Sequence, residues 1–354
     1  MPFEQIEGQE GALTLLRNAM RSGRLAHAYL FFGPEGVGKC LTAITLAKAM
    51  NCQSPPAEGE CCEGCASCKK INSSNHADVI VVEPQGEVIK IDQIRELQRR
   101  LRYRPLEGGM RACILESADG MNDAAANALL KTLEEPPDET HLFLLTSRPH
   151  KLLPTILSRC QWVKFRPLSI GSIVQILQRA HSWPEERANF LASLAGGSAG
   201  KALVLGNRVD FKKRLDWLRT FSNVSGKTLE EILAVCEQVA KEEEELNDLL
   251  ELWKLWVRDL VVCKAQREGP EGAGLKLINH DLLAEAAEEA KKYSFDRLDS
   301  LFTHISDTQK SIAQKANRQL AMETLMLEMK KNSRGKEVYS GRRFTLLDRE
   351  NLTG

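Results

Sequence analysis

The sequence predicts an α/β domain built on a five-stranded parallel sheet, followed by a small helical domain and a larger all-α domain. Three observations carry that expectation. Short apolar runs alternate with segments of helical period between residues 28 and 165. A glycine-rich loop, GPEGVGKC (33–40), separates the first apolar run from the helical pattern that follows it. Strand signals stop after RPLS (166–169). Strands separated by helices indicate a parallel sheet covered on both faces.

The five expected strands are AYLFF (28–32), DVIVVE (78–83), ACILES (112–117), HLFLLTS (141–147) and WVKF (162–165). Between them, Ile91, Ile94, Leu97 and Leu101, and later Ala126, Leu129, Leu130 and Leu133, keep helical spacing. The sheet domain is placed at 1–166, with a cysteine-rich insertion at 52–68. A helical lid follows at 167–206 and closes with LAGGSAGKALVLG, whose glycines break one helix and start another. Residues 207–331 hold LEEILAVCEQVA, LNDLLELWKLWVRDLVV, LDSLFTHISDTQKSIAQ and NRQLAMETLMLEM, each with an apolar stripe and a polar face. KEEEEL (241–246) reads as a solvated helix start, its carboxylates at the positive end of the dipole. The polar tail at 332–354 lacks periodicity and is expected to be disordered.

The 354 residues exceed the roughly 250 at which single cores stop growing, so several domains are required. A hydrophobic share of 43% and a charged share of 27% exclude both membrane and disordered classes. Net charge is zero, so a nucleic-acid role must rest on a local patch or on partners. No apolar run reaches the roughly 18 residues of a membrane span, and acids stand in MPFEQIEGQEGALTLL where a secretory signal would be basic. A cytoplasmic protein without a membrane partner is expected.

GPEGVGKC fits a phosphate-binding loop, with a strand before it and a helix after it. Gly33, Gly36 and Gly38 let backbone N–H groups turn toward phosphate oxygens, and Lys39 would reach the terminal phosphates. The motif's hydroxyl is replaced by Cys40, and a neutral thiol is a poor ligand for magnesium. ILESADG offers Glu116 followed by Ser117, where hydrolysis would call for an acidic pair; Glu116 could still serve a metal through water. Asp119 reads as a turn or helix-capping residue. ATP binding is therefore open, and turnover is disfavoured. Nor is there a pair of strand-borne carboxylates for two-metal nucleotidyl transfer.

Cys62, Cys65 and Cys68 stand as C-x-x-C-x-x-C, with Cys52 nine intervening residues upstream. Four thiolates suit a closed, structural Zn²⁺ site; Cys61 is a spare that could replace Cys62. An iron–sulfur cluster is the alternative. His76 is expected in an exposed loop or at a helix end. Cys40, Cys113, Cys160, Cys236 and Cys263 are scattered and read as small buried hydrophobes. Arg159, in KLLPTILSRCQWVKF, stands between a short helix and the last strand. Ligands bind at such strand ends, so it takes either a surface ion pair or the phosphates of an adjacent subunit. RELQRRLRYR (95–104) is a solvated helix face or a contact for DNA phosphates.

GPEGVGKC, the four-cysteine insertion, NALLKTLEEPP (127–137), TSRP with LPTILSRC (146–160) and GGSAGKAL (196–203) together resemble the clamp-loader branch of the AAA+ ATPases. The resemblance covers about 1–331 and is strongest over 25–165. It implies an AAA+ nucleotide-fold domain, a helical lid and a helical collar that joins subunits into a ring around primer–template DNA. By position, Lys39 matches the phosphate-binding lysine, Arg159 the arginine finger acting on a neighbour's ATP, and Cys52, Cys62, Cys65 and Cys68 the zinc ligands. Cys40, the pair Glu116–Ser117 and Gly200, where motor subunits carry a sensor arginine, depart from the motor pattern. The resemblance thus implies a non-hydrolysing clamp-loader subunit of DNA polymerase III, working with gamma/tau and delta subunits and the sliding clamp in DNA replication. Nucleotidyltransferase activity would belong to the holoenzyme. The alternatives are an autonomous motor-type ATPase, which an intact acidic pair would have supported, and a zinc-bearing adaptor without nucleotide binding.

Overall fold

The computed structural model describes residues 2–331 except 58, 87, 108, 209–210 and 269–276. The 332–354 tail, expected to be disordered, lies outside the described residues. Two compact units divide the chain, Met1–Val204 and a second beginning at Leu205.

The first unit contains strands β1 (Ala28–Phe32), β2 (Val79–Val82), β3 (Arg111–Leu115), β4 (Thr140–Thr146) and β5 (Gln161–Lys164), all within a residue or two of the expected runs. All pairings are parallel, in the order β2-β3-β4-β1-β5. Helix α1 (Glu10–Arg21) precedes β1; α2 (Lys39–Asn51), α3 (Ala66–Asn72), α4 (Ile91–Leu101), α5 (Asp123–Glu134) and α6 (Pro154–Leu157) connect the strands, and α7 (Ile170–His181), α8 (Glu185–Leu194) and α9 (Ala199–Arg208) follow β5.

Alternate residues of each strand enter opposite cores. Ala28, Leu30, Cys113, Leu115, Leu142 and Leu144 pack against α4 and α5. Tyr29, Phe31, Ala112, Ile114, Phe143 and Leu145 face α1 and α2. On that second face Tyr29 stacks on Phe143 with ring centroids 5.8 Å apart, and Phe31 meets Phe165 at 5.1 Å. A fully buried side chain of this size contributes about 1.5–3 kcal/mol relative to exposure, so the strands are apolar on both sides. Asn122 starts α5 by accepting from the Ala125 N–H at 2.9 Å.

The second unit is helical: α10 (Phe211–Asn223), α11 (Leu229–Val239), α12 (Glu243–Glu268), α13 (Leu283–Ala290), α14 (Phe295–Ala313) and α15 (Arg318–Lys331). Thr228 and Glu231 form a capping box at the start of α11, the Glu231 N–H donating to Thr228 Oγ1 at 3.2 Å and the Thr228 N–H to Glu231 Oε2 at 2.7 Å. The long helix α12 packs against α10, α13 and α14, and buries Trp253 and Trp256. No helix among the described residues is long and apolar enough to cross a membrane.

A buried polar chain ties the segment before α13 to α10 and α12. Arg214 donates to both carboxylate oxygens of Asp281 at 2.8 Å and to Asn279 Oδ1 at 2.7 Å. Asp259 accepts the N–H groups of Ile278 and Asn279 at 3.0 and 2.8 Å. Arg214 and Asn279 are buried whereas Asp281 stays partly exposed, so loss of the arginine strands the Asn279 carbonyl and frees a carboxylate that water can reach, at a cost of about 1–3 kcal/mol. Arg214→Met, which retains an apolar stem, is therefore expected to lose about 1–3 kcal/mol in urea unfolding. A loss below about 1 kcal/mol would show that the network is dispensable.

Candidate functional site

The loop between β1 and α2 holds Gly33, Gly36, Gly38, Lys39 and Cys40 in one place, with Glu116 beside them at the end of β3. The Gly33 N–H donates to the Thr146 carbonyl at 3.2 Å, fastening the loop to β4. Lys39 Nζ donates to the Gly33 and Pro34 carbonyls, each at 2.6 Å. Burial pushes the Lys39 ammonium down, and Glu35 and Asp119 oppose that shift. Cys40 Sγ donates to Glu116 Oε1 at 2.7 Å. Cys40 is only half-buried and polar in its contacts, whereas Cys113, Cys160, Cys236 and Cys263 are buried as expected.

Gly36 has a φ of +70°, and a Cβ there would run into Ser198 Oγ. Its carbonyl accepts from the Gly200 N–H at 2.9 Å, and a Cβ on Gly200 would lie 2.9 Å from Gly36 Cα. Helix α9 thus starts directly on the glycine-rich loop. Together they border a cavity of 610 Å³ walled by Ile6, Val37, Leu168, Ile176, Ala180 and Leu203. Arg179, also in the wall, donates to the Gln5 carbonyl at 3.2 Å and to Glu7 Oε1 at 2.7 Å.

Several contributors were not legible beforehand. Gln9 is buried, donates to the Val37 and Arg166 carbonyls at 3.2 and 2.8 Å, and accepts the Arg166 N–H at 3.0 Å. Asp119 does sit in a turn, yet Asn122 caps α5, and the Asp119 carboxylate instead accepts from Thr146 Oγ1 at 2.6 Å and Arg148 Nε at 2.7 Å. Burial raises this carboxyl, but those donors outweigh it and hold it below its usual range. Ser117 has a φ of +47° and supplies no second carboxylate.

Arg159 follows α6 and is not among the residues lining this cleft. Its guanidinium donates to the Thr155 carbonyl at 2.9 Å and to Glu134 Oε1 at 2.8 Å. In the basic stretch, Arg95 pairs with Asp92 at 3.6 Å and Arg99 with Glu96 at 2.5 Å, both on α4.

The Sγ atoms of Cys52, Cys62, Cys65 and Cys68 all lie within 4.8 Å of one another. Tetrahedral zinc with bonds of about 2.3 Å needs sulfurs about 3.8 Å apart, so small side-chain adjustments would seat an ion. Backbone N–H groups of Cys62, Cys65 and Cys68 already point at Cys52, Cys62 and Cys65 sulfurs, at 3.2–3.4 Å. Burial opposes ionisation of Cys65, but N–H donors from Cys68 and Gln53 overcome it and bring that thiol down to about 6. These four residues could hold a metal. Cys61 could not join them as placed: its Sγ donates to Glu63 at 3.2 Å, and burial followed by that carboxylate pushes its thiol up to about 12. His76 is also corrected from exposed to buried. Only 5% of it is accessible, with Nε2 3.1 Å from Ser67 Oγ and Nδ1 accepting the Asp78 N–H, because the insertion folds over it.

A parallel α/β sheet with a phosphate loop at its strand ends and a helical lid on that loop defines a P-loop protein of the AAA+ class. The family described as DNA polymerase III, delta subunit, matches residues 8–169, and the C-terminal part of that family matches 208–331. The DNA polymerase III subunit delta' of Bacillus subtilis is 32% identical over 92% of this chain and 97% of its own length. Subunit tau of the same organism is 36% identical over 57% of this chain, but only 37% of tau is spanned. A solved gamma subunit-related protein of Thermotoga maritima covers 92% of this chain and 100% of its own at 19% identity and a TM-score of 0.41. The chain belongs to the delta/delta' family of DNA polymerase III subunits.

One tightly held metal ion per chain is expected by elemental analysis. Cys65→Ser should abolish it, and Cys61→Ser should retain it; retention by the first or loss by the second would refute the assignment of ligands.

Proposed function

We propose that this chain is a clamp-loader subunit of DNA polymerase III that supplies Arg159 to the ATP of a neighbouring motor subunit and turns over little or no ATP itself. The observation that carries the reading is the separation of Arg159 from the chain's own cleft: the guanidinium is anchored on Thr155 and Glu134, just before the amino end of β5, and is not among the residues that line the cleft with Lys39. Ser117 beside Glu116, and the thiol of Cys40 in place of a hydroxyl, support the absence of turnover. The motor partners would be gamma/tau subunits, with delta completing the assembly and the sliding clamp and primer–template DNA engaged through the complex. In this reading residues 167–206 act as the lid, 207–331 as the collar that joins subunits, and the ion on Cys52, Cys62, Cys65 and Cys68 is structural zinc.

Reconstitution with motor subunits tests the reading. The isolated chain should hydrolyse essentially no ATP. Arg159→Ala should leave assembly intact by gel filtration while reducing DNA-stimulated turnover at the receiving site by on the order of 10³-fold, the lower range for a trans-acting arginine. Robust turnover by the isolated chain, or an unchanged rate in the variant complex, would sink it.

A further inference from the structure

The altered corner of the cleft says in what form a nucleotide would enter it. Cys40 occupies the place from which a loop hydroxyl ligates magnesium, and its S–H is spent on Glu116 Oε1 at 2.7 Å. Hard divalent cations take oxygen, and a neutral thiol serves them poorly. The thiolate is no better placed to form: burial, then the hydrogen bond and charge of Glu116, push the thiol up to about 12, so the proton stays on sulfur at neutral pH. Glu116 in turn has one oxygen engaged, and Ser117 brings no second carboxylate.

The groups that would bind phosphate directly are untouched by these changes. Lys39 holds only the Gly33 and Pro34 carbonyls, contacts that phosphate oxygens can replace. The 13-residue helix α2 starts at Lys39 and points its dipole at the loop. The apolar walls of the 610 Å³ cavity suit the flat face of a base.

We propose that the cleft takes an adenosine diphosphate free of magnesium, as a static ligand, with the Cys40–Glu116 hydrogen bond filling the place of the ion. The inference rests on the reading that this chain does not turn over ATP. The diphosphate is preferred because a third phosphate, left without a cation, adds negative charge near Glu35 and Glu116 with Lys39 to offset it, the Arg179 guanidinium in the wall being engaged by Glu7.

Calorimetric titration of ADP and ATP into the full chain, in excess EDTA and again in excess magnesium, tests it. ADP should bind in EDTA, with a dissociation constant within about twofold of that in magnesium, and more tightly than ATP. Lys39→Ala should weaken ADP at least about tenfold, which locates the heat in this cleft. Cys40→Ser, checked for folding by circular dichroism, should make binding tighten at least about fivefold on adding magnesium. Absence of ADP binding in EDTA, a wild-type affinity that rises about tenfold with magnesium, or a Cys40→Ser protein still indifferent to the ion would overturn the proposal. ATP turnover, measured on the same samples, would instead break the non-hydrolysing reading; magnesium dependence without turnover would break only this inference.

Discussion

The backbone contact between Gly36 and Gly200 is the constraint on which the cleft depends. Two glycines let the phosphate loop and the first turn of α9 approach until an N–H···O bond of 2.9 Å forms between them. Any side chain at either position would collide with the other segment. Glycine at both positions lets the first turn of α9 pack directly on the loop, and so shapes the cavity by packing rather than by charge.

That loop is also held from the other end of α2. The helix runs from Lys39 to Asn51, and the next residue, Cys52, is the first thiol of the four-cysteine cluster. Lys48, buried on the same helix, pairs at 2.9 Å with Glu63 inside the cysteine insertion. Glu63 adopts a left-handed φ of +57° and is reinforced by Asn72 at 2.9 Å. A buried lysine is tolerated only with such a partner, so the insertion and the phosphate helix form one mechanical piece. The cysteines need no direct part in chemistry to matter for the loop, since they fix the far end of the helix on which it sits.

What could be read from sequence follows from how local each signal is. The strands were legible because their apolar runs are short and bounded, the loop because its glycines are closely spaced, and the four-cysteine cluster because three thiols repeat at a fixed interval. Gln9 was not legible, since its partner Arg166 is 157 residues away and nothing near it marks a buried amide. The same holds for Asp119, whose neighbours suggest a cap while its carboxylate is taken by Thr146 and Arg148. His76 follows a run of small polar residues, SSN, that reads as exposed; only the fold of the insertion over it brings Ser67 within 3.1 Å. Lys39 was identified by motif, but its present hold on the Gly33 and Pro34 carbonyls is a property of the folded loop.

Arg159 is held by an ion pair of the weak, exposed kind. Its contact with Glu134 is short, at 2.8 Å, but Glu134 is about half exposed and the pair faces solvent. Pairs of that kind contribute about 0–1 kcal/mol, because water competes for both ions and two flexible side chains must be ordered. A phosphate, with more charge and a geometry that accepts two parallel N–H donors, would outbid a single exposed carboxylate. In the function proposed above, Glu134 then holds the guanidinium near its working position without binding it strongly enough to oppose transfer. A buried arginine such as Arg214, gripped through both oxygens of Asp281 and by Asn279, could not serve that purpose, because no phosphate of another chain could reach it. In the proposed function, the exposure of the Arg159 pair is therefore part of what would fit it to act between subunits.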